Sequence, residues 1–204
     1  MNKDLGFIKK VFQELNEDIV KKYSLLLLSA LNNEPISGKT RFMKEMFLIA
    51  KNIPELELEA DFEADSYGPN SDYVDDALRE LDILGLIKNV NGRYELTELG
   101  KNTVKFVEDT VEKEEMGLID DMKELFEGLY TDEVLAIIYF SYPEMADESL
   151  VRSKIEKNRV GIAISLIKKD KVSISKASEI AGMSFTHFYQ LLEDRGIKVK
   201  AWSK

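Results

Sequence analysis

The side chains best suited to chemistry lie close together near the C-terminal end. Ser184, Thr186, His187, Tyr189 and Gln190 fall on one short stretch that reads as a helix, and Lys168, Lys169, Lys171 and Lys176 lie ahead of it. Glutamine can pair with adenine edges, while serine and threonine reach either base edges or phosphates. Lysines before or on the helix preceding a reading helix stand where phosphate contacts usually fall. The set points to double-stranded DNA. The plainer alternative is a solvated lysine face, with His187 and Tyr189 packed at a dimer or domain contact.

Other candidate motifs carry less. Gly38-Lys39-Thr40 imitates the end of a phosphate-binding loop, but Asn33 stands where that loop needs its first glycine and a helix precedes it. A helix cap fits better. Asp61, Glu63 and Asp65 could hold a hard cation, yet on a strand they would share a solvated face. Asp72, Asp75 and Asp76 read the same way. His187 has no paired base or nucleophile in the sequence. The absence of cysteine excludes disulfides, thiolate zinc sites and a cysteine nucleophile, and the single histidine excludes a histidine-rich metal centre. No enzyme activity, no cofactor and no metal is expected.

Charge divides the chain sharply. From Arg152 onward there are 12 basic and 5 acidic residues, a net +7, whereas the first 151 residues hold 16 basic and 33 acidic residues, a net −17. A sheath of phosphates attracts the second segment and repels the first. The expected organisation is an acidic domain over 1–150 and a basic domain over 151–204. Hydrophobic residues make up 44 % of the chain, ordinary for a globular core. The longest apolar run, Leu25 to Leu31, is far short of the ~20 residues of a membrane span. The opening MNKDLGFIKK has no signal-peptide core. These features predict a cytoplasmic protein with no membrane partner.

The elements that must position the candidate residues begin with Leu5, Ile8, Val11, Phe12, Leu15 and Ile19, spaced as the inner face of one or two helices. A buried helix over Leu25–Leu31 follows and stops at Asn32-Asn33-Glu34-Pro35. Ser37 is expected to cap a helix with Phe42, Met46 and Ile49 inside. Leu56 to Phe62 alternates apolar and polar, which predicts a half-solvated strand. After Tyr67-Gly68-Pro69, Ser71 caps a helix carrying Val74, Leu78 and Leu81. Two short strands, Gly85–Val90 and Arg93–Leu96, meet at Asn91-Gly92, the dipeptide whose turn needs positive φ at both residues. Thr97 caps the next helix, and further helices are expected over 97–115, 118–129 and 131–140.

Helices followed by a tight two-stranded wing predict a winged helix-turn-helix. The strings PISGKTRFMKEMFLIA, DSYGPNSDYVDDALRELDILGLI and YELTELGK resemble the prokaryotic YwgA-like winged-helix proteins and, more distantly, the Panacea (SocA-like) antitoxin domain, over roughly residues 20–145. The helix that would enter a groove opens with Asp72, Asp75 and Asp76, which phosphates would repel. This winged helix is therefore expected to bind a protein.

In the basic segment, a helix over 154–169 leads to Ser173 or Ser175 capping a short helix with Ala177, Ile180 and Ala181 inside. Gly182 supplies a left-handed turn. Ser184 caps a second helix with Phe188, Leu191 and Leu192 inside, Gly196 stops it, and 197–200 can add a strand. Two helices joined by a glycine turn form a helix-turn-helix pattern. SKASEIAGMS with Leu191-Leu192 and Arg195-Gly196-Ile197 resembles a small prokaryotic family of antitoxin-like helix-turn-helix proteins over about 152–201. That resemblance implies an antitoxin or DNA-binding regulator.

The combined expectation is a mainly α fold with a small β-hairpin wing: a winged helix-turn-helix plus a C-terminal helix-turn-helix. The function expected is a DNA-binding transcriptional regulator or antitoxin-like protein. Its rival is a protein-interaction module that neutralises a toxin without touching DNA. A homodimer is also expected, through the apolar surplus of 118–140 and 155–167, unless those faces pack within one chain.

Overall fold

The computed structural model describes residues 2–198, with the side chains of residues 2–5 and 7–9 left outside the description. It is mainly helical, with a three-stranded antiparallel sheet. Two compact units divide the chain: Met1–Glu63 with Pro69–Glu127, and Ala64–Gly68 with Gly128–Lys204.

In the first unit, helix α1 (Asn2–Glu17) buries Val11 and Leu15. Leu5 and Ile8, expected on the same face, lie outside the described side chains. Asp18 caps α2 (Ile19–Asn33) by accepting the Lys21 N–H at 2.9 Å. Leu25 to Leu28 are all at most 1 % exposed, so α2 is buried on every side and the unit assembles around it. Its last turn leaves helical geometry, with Leu31, Asn32 and Asn33 at positive φ. Lys123 closes that end by donating to the carbonyls of Leu27 at 3.0 Å and Ala30 at 2.9 Å. Asp120 accepts the Leu31 N–H at 3.0 Å. The otherwise orphaned carbonyls are thus satisfied. Burial pushes the Lys123 ammonium down to about 8.

Two local expectations fail after α2. Ser37 is no cap: it lies in β1 (Ile36–Ser37) opposite Arg93, and α3 (Lys39–Ala50) starts after Gly38, whose N–H donates to the Gly92 carbonyl at 2.8 Å. The segment expected as a strand is instead helix α4 (Pro54–Ala60). Proline at its start and Glu55 and Glu57 in its first turn favour a helix N-terminus. Leu56 and Ala60, four apart, are buried, while Leu58 is 77 % exposed. Burial thus follows the helical period. Asp61 ends α4 in the left-handed region, so Asp61, Glu63 and Asp65 share no strand face.

The next elements follow their local signals. Ser71 accepts the Val74 N–H at 3.1 Å and caps α5 (Asp72–Ile83). Strands β2 (Ile87–Val90) and β3 (Arg93–Leu96) pair in register, Val90 opposite Arg93, with Asn91 and Gly92 at φ 54° and 80°. β3 lies between β1 and β2. Thr97 caps α6 (Glu98–Val107) by accepting the Gly100 N–H at 3.0 Å. A Cβ on Gly100 would lie 2.0 Å from the Leu86 carbonyl oxygen, so only glycine lets α6 approach the hairpin so closely. The helix expected through 115 ends at Val107, where the Thr110 hydroxyl donates to the Val107 carbonyl at 2.7 Å and competes with the helix ladder. A 3₁₀ turn at Glu108–Thr110 leads to α7 (Lys113–Phe126), in place of a helix over 118–129.

The second unit contains α8 (Thr131–Ser141), a 3₁₀ turn (Pro143–Ala146), α9 (Arg152–Lys168), α10 (Ile174–Ala181) and α11 (Phe185–Asp194). Val134 to Tyr139 on α8 are buried, as are Ile155, Ile162, Ala163, Ile164, Leu166 and Ile167 on α9, and the two helices pack together. The apolar residues of α8 and α9 expected to make a dimer contact are therefore covered within the chain. The same packing places α8 in the second compact unit, which takes Gly128–Lys204 with Ala64–Gly68. Ile197 and Lys198 form no strand, and Val199 and Lys200 lie outside the described residues. Among the described residues no helix is long and apolar enough to cross a membrane.

Glu45 tests the first core. Its side chain is fully buried, Arg41 donates to Oε1 at 2.7 Å, and Oε2 has no hydrogen-bond partner. Burial pushes its carboxyl up to about 7 against the pull of Arg41. Between about pH 4.5 and 7 the folded chain holds this proton more tightly than the unfolded chain, so the group's contribution to stability falls as pH rises. Glu45→Gln should gain stability relative to the native chain across that window, by about 1–3 kcal/mol in urea unfolding. A difference independent of pH contradicts it.

Candidate nucleic-acid interface

Two capped helices and the turn between them hold Lys176, Ser184, Thr186, His187, Tyr189 and Gln190, while Lys168, Lys169 and Lys171 lie at the end of α9 and just after it. Ser173 accepts the Lys176 N–H at 3.1 Å, which selects it over Ser175 as the cap of α10. Ala177, Ile180 and Ala181 are buried on the inner face. Gly182, at φ 68°, ends the helix: its N–H donates to the Glu179 carbonyl at 3.0 Å and the Met183 N–H to the Ser178 carbonyl at 3.0 Å. Ser184 then caps α11, accepting the His187 N–H at 3.3 Å. Phe188 and Leu192 are fully buried and seat α11 in the core.

Sequence reasoning missed the group that holds this corner. Arg159, on α9, donates from Nε to the Ile180 carbonyl at 2.6 Å and from a terminal nitrogen to the Glu179 carbonyl at 2.9 Å. Its guanidinium lies 4.2 Å from the centre of the Phe140 ring. A cation on the last carbonyls of α10 also complements the negative end of the helix dipole. A Cβ on Gly182 would come within 2.6 Å of the guanidinium carbon. Arginine clamp and glycine turn therefore depend on each other.

Ser184, the cap, and Thr186, His187, Tyr189 and Gln190 on α11 are all exposed. The Gln190 amide donates to Asp194 at 3.0 Å. Phe185 joins them: it is 52 % exposed and stacks on Tyr189 with ring centres 6.3 Å apart. A sequence signal for it existed. Phe185–Tyr189 and Phe188–Leu192 are adjacent rows of residues four apart, one more apolar row than an inner face requires.

The lysines separate by environment. Lys168 is exposed and Lys171 is half-buried. Lys176 pairs with Glu179 at 3.1 Å. Lys169 reaches the Glu133 carboxylate at 2.6 Å and the Gly128 carbonyl at 3.0 Å, and lies over the Tyr130 ring at 4.2 Å. Burial alone would raise Glu133, but Lys169, the Ser165 hydroxyl and the Tyr130 N–H outweigh it and hold its carboxyl below the usual range. Lys169 thus acts as a structural cation within the second unit. Arg152 pairs with Asp147 and Glu156, and Lys154 with Asp132. Over the whole compact unit there are 12 basic and 11 acidic residues, a net +1, so attraction to phosphate must be local. Among the described residues no group of three or more histidine, aspartate or glutamate side chains is arranged to hold a metal.

Replacing Arg159 by Ala should destabilise the chain by about 1–2 kcal/mol, because the part-buried Ile180 carbonyl loses its Arg159 donor while the Glu179 carbonyl keeps the Gly182 N–H. Gly182→Ala should cost about 1–2 kcal/mol through its left-handed φ. Since each disturbs the same corner, the double variant should lose less than the sum of the singles in urea unfolding followed by circular dichroism. Additive losses contradict the mutual dependence.

The model of an uncharacterised protein family (UPF0175) matches residues 138–204, from the later half of α8 through α11 to the end of the chain. No curated protein and no solved structure matches the chain. The C-terminal third, which carries every candidate residue on α9, α10 and α11, is therefore similar to that family, and residues 1–137 fall outside the match.

Proposed function

We propose that the chain is a DNA-binding regulator, antitoxin-like in kind, in which α10, the Gly182 turn and α11 act as a helix-turn-helix. The observation that carries the reading is the outer side of α11. It is well anchored by Phe188 and Leu192, yet it exposes Ser184, Thr186, His187, Tyr189 and Gln190. No charged residue interrupts the stretch from Met183 to Leu192. Such a helix suits the major groove, where its first residues meet base edges. Lys168, at the end of α9, would meet phosphates, and Arg195 and Lys198 follow α11.

The first unit fits the accompanying role of a protein-binding winged helix: α5, the β2–β3 hairpin and α6 follow the order of that motif. Lys39 and Arg79 pair with Asp75, and Arg79 also with Asp76, so the carboxylates at the start of α5 are partly neutralised within the unit. A second reading, a module that neutralises a toxin without touching DNA, is favoured by one observation. Lys169 and Lys176, two of the four lysines ahead of α11, are engaged by carboxylates of the same unit.

The test is selection of duplexes by the full chain from a random pool, followed by titration at two salt concentrations. Affinity should fall at least about tenfold between about 50 and 200 mM salt. Lys168→Gln should weaken binding on every sequence, and Gln190→Ala should change base preference. A pool with no enriched duplex, and no binding at low salt, leaves the toxin-neutralising reading in its place.

A further inference from the structure

We infer that Phe185 and Tyr189 form an apolar platform that reads the C5-methyl group of thymine in the major groove. The inference rests on the proposed entry of α11 into DNA and adds what that helix recognises. Phe185 is the first residue after the Ser184 cap, at the end of a reading helix that lies closest to base edges. Tyr189 follows one turn later. Their rings lie nearly parallel, with 16° between planes and centres 6.3 Å apart, so the two stack and present one joint apolar surface. The pair is 52 % and 41 % exposed, although Phe188 and Leu192 already supply the inner face of α11.

Two exposed aromatics in contact make an apolar patch of the kind that marks an interaction surface. Their neighbours are hydrogen-bonding side chains, Ser184, Thr186 and Gln190, with no acid between Met183 and Leu192 and with Lys168 and Arg195 exposed beyond the motif. A groove edge flanked by phosphates matches that arrangement in charge, and the thymine methyl is its apolar feature. Because Phe185 and Tyr189 already support each other, little side-chain freedom is lost when the methyl group is covered.

The test uses the full chain and a duplex it selects. Each thymine is replaced singly by deoxyuridine, which removes only the methyl group, and affinity is measured by fluorescence anisotropy. The native chain should lose about three- to tenfold at one or two positions, the effect of uncovering one methyl group. Phe185→Ala should bind the thymine duplex that much more weakly and respond equally to thymine and uracil. Tyr189→Phe should keep the response, since the hydroxyl is not needed. Duplex binding that is indifferent to every uracil overturns the inference and leaves the DNA reading standing. Failure to bind any duplex overturns both. Unchanged DNA affinity in Phe185→Ala, with loss of a dimer in light scattering, also overturns it and makes the aromatic pair a contact between copies.

Discussion

The second unit turns on the end of α10. A helix that stops leaves carbonyls without donors, and the chain that follows must leave at an angle that is not helical. Gly182 provides the angle, at φ 68°, and Arg159 provides donors to the Glu179 and Ile180 carbonyls from a helix some twenty residues earlier. Everything offered on α11 depends on that junction. If α10 continued by one more turn, the rows 185–189 and 188–192 would rotate away from their present assignment to solvent and core. The outward polar side is therefore set by the same geometry that buries Phe188 and Leu192.

Electrostatics changes meaning once the fold is known. A segment counted from Arg152 carries +7, but the compact unit also includes Asp132, Glu133, Glu144, Asp147 and Glu148 from the preceding stretch and Asp65 from an earlier one. Several of these acids are matched to lysines and arginines that the linear count had left for phosphate. Glu133 shows the principle most clearly: it is nearly fully buried and takes donors from Lys169, Ser165 and the Tyr130 N–H at once. A lysine so held is part of the scaffold. Attraction to a polyanion would then come from a few local cations beside α11, and recognition would rest more on its hydrogen-bonding and aromatic groups than on net charge.

How much was legible in the sequence depended on the range of each interaction. Ser71, Thr97, Ser173 and Ser184 cap helices through bonds three residues away, and Asn91-Gly92 turns a hairpin within four residues, so local chemistry decides them. The Leu56–Ala60 segment shows the limit. Alternating Leu and Glu satisfy a strand pattern while Pro54 and the acids of the first turn favour a helix, and the burial of Leu56 and Ala60 with Leu58 left in water decides for the helix. Arg159 on the α10 carbonyls, Lys169 on Glu133 and Lys123 on the end of α2 join residues 20 to 96 positions apart. No local spacing announces such contacts. They decided which cations were structural, and they were the part of the candidate site that periodicity could not supply.

The most direct measurement is amide chemical-shift mapping of the full chain as a selected duplex is added. With α11 in the groove, the largest changes should fall on residues 184–190, with smaller ones at 168–176, while the hairpin at 87–96 and helix α5 stay unchanged. Changes centred on α5 and the hairpin with α11 unmoved, or no change at all with duplex in excess, would contradict the placement of α11 on DNA.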